Sequence, residues 1–164
     1  RGSNVMEGLV TCKGNGIFAI IGRDEIQDDG LEVDNLKEFP KDLCFISLCD
    51  PNKEFIKTDN YFKDEIKLKF WDVEEEIGKY APIHLSQAKQ IYEFIIKNKD
   101  SEFLINCEAG VSRSAGVGLA IEYLLRDKGF YPKWEQFPSK VLQHWRYCPN
   151  MTVFNKIISF KDSM

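Results

Sequence analysis

Short apolar runs alternate along this chain with stretches where apolar residues return every three or four positions. Ile17-Phe18-Ala19-Ile20-Ile21 and Leu43-Cys44-Phe45-Ile46-Ser47-Leu48 are strand-sized runs bounded by turn residues, which predicts buried strands. Ile66-Lys67-Leu68-Lys69-Phe70 alternates strictly and predicts a strand with one wet face, at an edge or half covered. Phe103-Leu104-Ile105 is a further buried run. Between the last two, Leu85, Ala88, Ile91, Tyr92 and Ile95 fall at helical spacing. After Cys107, Val117, Ala120, Ile121, Leu124 and Leu125 do the same until Gly129, a helix stop. Pro138 suits the first turn of another helix reaching Trp145, and Val153 to Phe160 predicts a last one. Strands interleaved with helices predict an α/β domain with a central, mostly parallel sheet of four to five strands flanked by helices. Ligands of such sheets bind beyond the carboxyl ends of the strands, which points to the residues after Leu48, Phe70 and Ile105.

Composition narrows the class. The chain has 164 residues, 43% hydrophobic and 29% charged, enough for one domain with a core. Arg1-Gly2-Ser3 reads as an expression-vector remnant, leaving residues 4–164 as the domain. With 22 Lys+Arg against 26 Asp+Glu the net charge is −4, unlike the usual basic nucleic-acid binder, so no nucleic-acid partner is expected. No apolar run approaches the roughly 18 residues of a membrane helix, and the N-terminus lacks the basic-then-apolar pattern of a secretion signal. A soluble protein with no membrane partner is the expectation. The acidic stretch from Asp24 to Glu38 and the basic excess after Arg126 read as solvated faces.

The five cysteines, Cys12, Cys44, Cys49, Cys107 and Cys148, are odd in number and irregularly spaced, so no disulfide framework is expected. There is no Cys-x-x-Cys, and His84 and His144 lie far apart, so neither metal nor cofactor is expected. A reducing, cytoplasmic compartment follows, in which each thiol is either buried filler or a reagent.

One segment carries chemistry. The run Phe103-Leu104-Ile105 leads into Asn106-Cys107-Glu108-Ala109-Gly110-Val111-Ser112-Arg113-Ser114, and then a helix. Small residues and a glycine let successive backbone N–H groups turn inward as an anion-binding nest, and the helix adds its own free N–H groups and dipole. Arg113 supplies a planar fork able to grip two oxygens of one phosphoryl group. A cysteine at the strand end lies against that positive field, which favours the nucleophilic thiolate.

This string resembles the signature loop of the cysteine-dependent protein tyrosine and dual-specificity phosphatases. Its detail is closest to small bacterial and phage-type members of the dual-specificity branch. Ile46-Ser47-Leu48 with Asp50-Pro51, Phe70-Trp71-Asp72, and Pro149-Asn150 ahead of Phe154 resemble further stretches of that group, so the likeness spans roughly residues 43 to 160. The resemblance implies a dual-specificity-phosphatase-like fold and a monomer acting on a phosphorylated protein. Cys107 would form the phosphocysteine, and Glu108, Ala109, Gly110, Val111, Ser112 and Arg113 would bind the phosphoryl group. Ser114 would assist release of the thiolate.

A carboxylic acid on a separate loop must protonate the leaving oxygen and then activate water. The resemblance places it about 30 to 35 positions before the nucleophile; Asp72 is preferred, with Asp64 and Asp50 as alternatives. Asn106 stands where the family usually has His, so the thiolate is less favoured and turnover is expected to be weakened, not abolished. Cys49 reads as filler or as a redox partner of Cys107, and Trp71 as packing or a flank for a substrate ring. Gln143 and His144 read as surface residues or as groups positioning water. A phosphopeptide-binding module without efficient chemistry is an alternative function. An RNA 5′-phosphatase or phosphoinositide phosphatase is disfavoured, because positions 108 to 112 carry the negative charge of Glu108 and no positive one.

Overall fold

A computed structural model of the chain describes residues 18–23, 39–125, 140–143 and 147–161. Cys12, the acidic stretch from Asp24, Gly129, Pro138, His144, Trp145 and the side chain of Gln143 lie outside the described residues.

The strands β1 (Phe18–Gly22), β2 (Cys44–Cys49), β3 (Asp64–Lys69) and β4 (Phe103–Cys107) form one sheet in the order β1-β4-β2-β3, with every pairing parallel. The helices are α1 (Leu85–Lys97), α2 (Arg113–Leu124), the short α3 (Lys140–Gln143) and α4 (Met151–Ile158). Alternate strand residues enter two cores. Phe18, Ile20, Ile46, Leu48 and Ile105 pack with Ile91 and Ile95 of α1, Val117 and Ile121 of α2, and Val153 and Ile157 of α4. Ala19, Ile21, Phe45 and Leu104 face the other way, onto Phe39, Ile56 and Phe62. Burial on both faces explains why these strands read as unbroken apolar runs. Helices cover the first face; among the described residues, loop side chains cover the second, with Phe45 and Phe62 stacked at 4.7 Å.

The parallel register sets Gly22 beside Cys107 and Ser47 beside Asn106, so β1 and β2 end around the last residues of β4. The sequence pattern ended β4 at Ile105; the strand continues through two further buried residues, Asn106 and Cys107. α2 starts at Arg113, four residues before its first predicted apolar position, and it is buried along its length from Arg113 to Glu122. A helix with no wet face has no amphipathic period to read. Gly116 lets α4 approach α2: a Cβ there would lie 2.6 Å from the Asn150 carbonyl oxygen.

β3 is the sheet edge, as its alternation predicted, and Asp64 fastens its amino end to α1. Asn98 donates through Nδ2 to Asp64 Oδ2 at 3.0 Å, and Lys97 lies 3.2 Å from the same oxygen. Burial works to raise the Asp64 carboxyl, but hydrogen bonds from Asn98, Lys97 and the Glu65 N–H outweigh it and hold the group below the ordinary value of 3.8. A depressed carboxylate contributes stability above its unfolded-chain value, and that contribution is lost as pH falls through the lower folded value. Urea midpoints should therefore drop on acidification below pH 3.8, and Asp64→Asn should flatten part of that drop. An unchanged acid limb in the variant would show that Asp64 is not the linked group.

Candidate active site

Cys107 ends β4, 3% exposed, at the foot of a bent loop that returns to the sheet before α2 begins. The carbonyl oxygens of this loop are held from outside. Arg23 donates its N–H to Glu108, Cys148 to Val111, and Asn150 to Ser112, each at 3.0 Å. In a planar trans peptide the C=O of one residue and the N–H of the next point in opposite directions. The amides of Ala109, Ser112 and Arg113 are thereby turned away from these three donors. Gly110 makes the turn at φ +70°, and a Cβ on it would lie 2.6 Å from the Gly22 nitrogen, so only glycine seats the loop on β1 without strain.

Arg113 is buried at the first position of α2, and its guanidinium is fixed from one side. Nη1 donates to the Phe70 carbonyl at 2.6 Å and sits 2.9 Å from Asp50 Oδ1. Its Nε is buried and has no hydrogen-bond partner among the described residues. Such an orphaned donor is costly unless something binds it, and an oxyanion is its natural complement. Ser114, next in the helix, has a buried hydroxyl in the same condition.

The three acid candidates separate cleanly. Asp72 follows β3 and reaches the loop: Ser112 Oγ donates to its Oδ1 at 2.8 Å and Asn150 Nδ2 at 2.9 Å. Asp50 follows β2 and serves as the ion-pair partner of Arg113. Asp64 sits at the amino end of β3, across the sheet from Cys107, in the α1 contacts described above.

Asn106 accepts from Ser47 Oγ through Oδ1 at 2.6 Å and donates from Nδ2 to the Cys107 carbonyl at 3.1 Å. It thus ties the Cys107 peptide to β2 through neutral bonds. Glu108 lies 3.8 Å from both Arg23 and Lys53, so two cations offset the negative charge that the loop sequence carries. Cys49 is buried, and burial pushes its thiol up, with Arg23 pulling back only in part. These are the properties of a packing residue. Trp71 packs edge-on against Tyr80 at 4.8 Å.

Sequence reasoning gave no role to Asn150. It caps α4 by accepting from the Thr152 and Val153 N–H groups, each at 3.1 Å, while its Nδ2 holds Asp72 and the Val73 carbonyl. The signal was present in the sequence: Asn directly before an apolar-periodic segment is an N-cap pattern.

The four-stranded parallel sheet and the helices packed on it give the chain the fold seen in tyrosine and dual-specificity protein phosphatases. Solved structures agree across most of the chain. The Cydia pomonella PTP-2 phosphatase is 19% identical with a TM-score of 0.58, covering 88% of this chain and 86% of its own. The human tyrosine phosphatase-like serine/threonine/tyrosine-interacting protein is 16% identical with a TM-score of 0.57, covering 89% and 91%. PTPMT1, solved in complex with PI(5)P, is 11% identical with a TM-score of 0.51, covering 90% and 91%. No protein-family model and no curated protein sequence matches the chain.

Proposed function

We propose that this protein hydrolyses the phosphate monoester of phosphotyrosine, and of phosphoserine and phosphothreonine where these reach the loop, through a phosphocysteine intermediate. The observation that carries the reading is the state of Arg113. Its Nη1 is fixed by Phe70 and Asp50, while its buried Nε is left for an oxyanion beside the loop amides and a cysteine.

In the first step the Cys107 sulfur anion forms the S–P bond and the ester P–O bond breaks. The loop amides and Arg113 hold the equatorial oxygens as preorganised donors. Asp72 gives its proton to the departing oxygen. Both observed hydrogen bonds fall on Oδ1, so Oδ2 is the oxygen that carries this proton. In the second step water attacks phosphorus, the Asp72 carboxylate takes its proton, and the S–P bond breaks to restore the thiolate, which the Ser114 hydroxyl can then bond. Inorganic phosphate leaves. The scheme uses no metal or cofactor. The narrower placement among small bacterial and phage-type enzymes, acting as monomers on phosphorylated proteins in a reducing cytoplasm, belongs to the same proposal and rests on the sequence motifs.

The test is phosphate release in EDTA from a phosphotyrosine peptide and from two aryl phosphates of different leaving-group quality. Asp72→Asn should slow phenyl phosphate about 100-fold and p-nitrophenyl phosphate several-fold less severely, because general-acid help matters most for the poor leaving group. Should Asp50→Asn give that signature instead, the acid would be Asp50. Tight vanadate binding with no burst of phosphate would make the protein a binding module.

Glu108 supports one second reading. Arg23 and Lys53 beside it outnumber its single charge, which suits an anionic headgroup. A phosphoinositide is bound in the PTPMT1 structure. Faster phosphate release from phosphoinositide vesicles than from phosphotyrosine peptides would favour that substrate class.

A further inference from the structure

The acid loop is also fastened to the first turn of α4, directly after Asn150, the residue that holds the Ser112 carbonyl. Glu74, two residues past Asp72, accepts twice from the first turn of α4. The Met151 N–H donates to its Oε2 at 2.6 Å, and Thr152 Oγ1 donates to its backbone carbonyl at 2.6 Å. The first N–H groups of a helix lack partners within it, and a carboxylate there also gains from the helix dipole. In α4 that need is shared out, with Asn150 taking the Thr152 and Val153 amides and Glu74 taking Met151. The helix therefore grips the acid loop through Glu74 on one side of Asp72's neighbour Val73, while Asn150 grips Val73 and Asp72 themselves.

We infer that Glu74 is a positioning residue for the acid step: its clasp on the amino end of α4 holds Asp72 over the phosphate-binding loop. The inference rests on the assignment of Asp72 as the acid. Glu74 does not touch substrate. Its effect passes through the geometry of Asp72, so it falls on reactions that need the proton and spares those that do not.

Steady-state kinetics on phenyl phosphate and p-nitrophenyl phosphate test it with three variants. Glu74→Ala should lower kcat for phenyl phosphate about tenfold, the scale of a misplaced catalytic group, and affect p-nitrophenyl phosphate much less. Glu74→Gln keeps an acceptor oxygen and should recover most of that loss. Met151→Pro removes the donor while keeping the helix, since proline is favoured at the first helical position and Asn150, at ψ 107°, already has the extended backbone that precedes proline. It should reproduce the Glu74→Ala pattern with Glu74 intact. In Asp72→Asn, adding Glu74→Ala should cost little more, because the group it positions is gone.

Equal slowing of both substrates by Glu74→Ala, or full additivity with Asp72→Asn, would reduce Glu74 to a structural role and overturn the inference. So would unchanged phenyl phosphate turnover in both Glu74→Ala and Met151→Pro while Asp72→Asn keeps its leaving-group signature. If Asp72→Asn itself shows no leaving-group preference, the assignment of the acid fails, and the inference fails with it.

Discussion

Replacing Cys107 with serine should bring p-nitrophenyl phosphate turnover to background, a loss of about 10⁴-fold or more. The substitution is nearly isosteric at a buried position, so the fold and the loop should survive it. What it removes is the polarisable sulfur. A serine hydroxyl needs a neighbouring base to become a nucleophile. The bonds that the structure gives Asn106 offer none, since its amide nitrogen donates to the Cys107 carbonyl and its oxygen accepts from Ser47. The variant should still bind vanadate or a phosphopeptide, because the loop amides and Arg113 remain. Equal rates for wild type and Cys107→Ser, measured in EDTA, would remove the nucleophile assignment and the proposed chemistry with it.

Arg113→Lys should cost about 10³-fold in kcat/KM and weaken vanadate binding in parallel. The charge is conserved, so the loss isolates geometry. Arginine occupies Phe70 and Asp50 with Nη1 and still has Nε and its second amino group for two oxygens of one phosphoryl group. Lysine's single ammonium cannot do both, and a buried ammonium drawn to the Asp50 carboxylate would leave the phosphoryl oxygens unserved. Near-normal turnover in Arg113→Lys would mean that a point charge suffices and that the fork reading of the site is wrong. Asp50→Asn, which keeps a neutral acceptor for Nη1, should fall between the wild type and Arg113→Lys on the same assay.

The elements legible in the sequence were those whose surroundings differ along their length. α1 has one wet face and one buried face, so Ala88, Ile91, Tyr92 and Ile95 marked it directly. α2 is buried on all sides, which hid its start at Arg113, and polar Asn106 hid the last two residues of β4, Asn106 and Cys107. The loop from Cys107 to Arg113 was legible because its parts are contiguous: cysteine, glycine turn and arginine lie within one run. Asp50, Asn150 and Glu74 were not, because each belongs to a different segment. Their meeting depends on two close approaches, Gly110 to β1 and Gly116 to α4, that no local pattern encodes. Asp72 was placed by resemblance, and its bonds to Ser112 and Asn150 are tertiary.

The strand order also has a temporal meaning. β4 takes its place only by inserting between β1 and β2, and Phe18 pairs with Phe103, 85 positions away. Contacts of such separation close late during folding. A chain emerging from the ribosome thus carries Cys107 on an unpaired segment, with neither Arg113 nor Asp72 held beside it. The proposed phosphoryl chemistry needs the whole domain, with β4 inserted in the sheet and Asn150 of α4 holding Asp72.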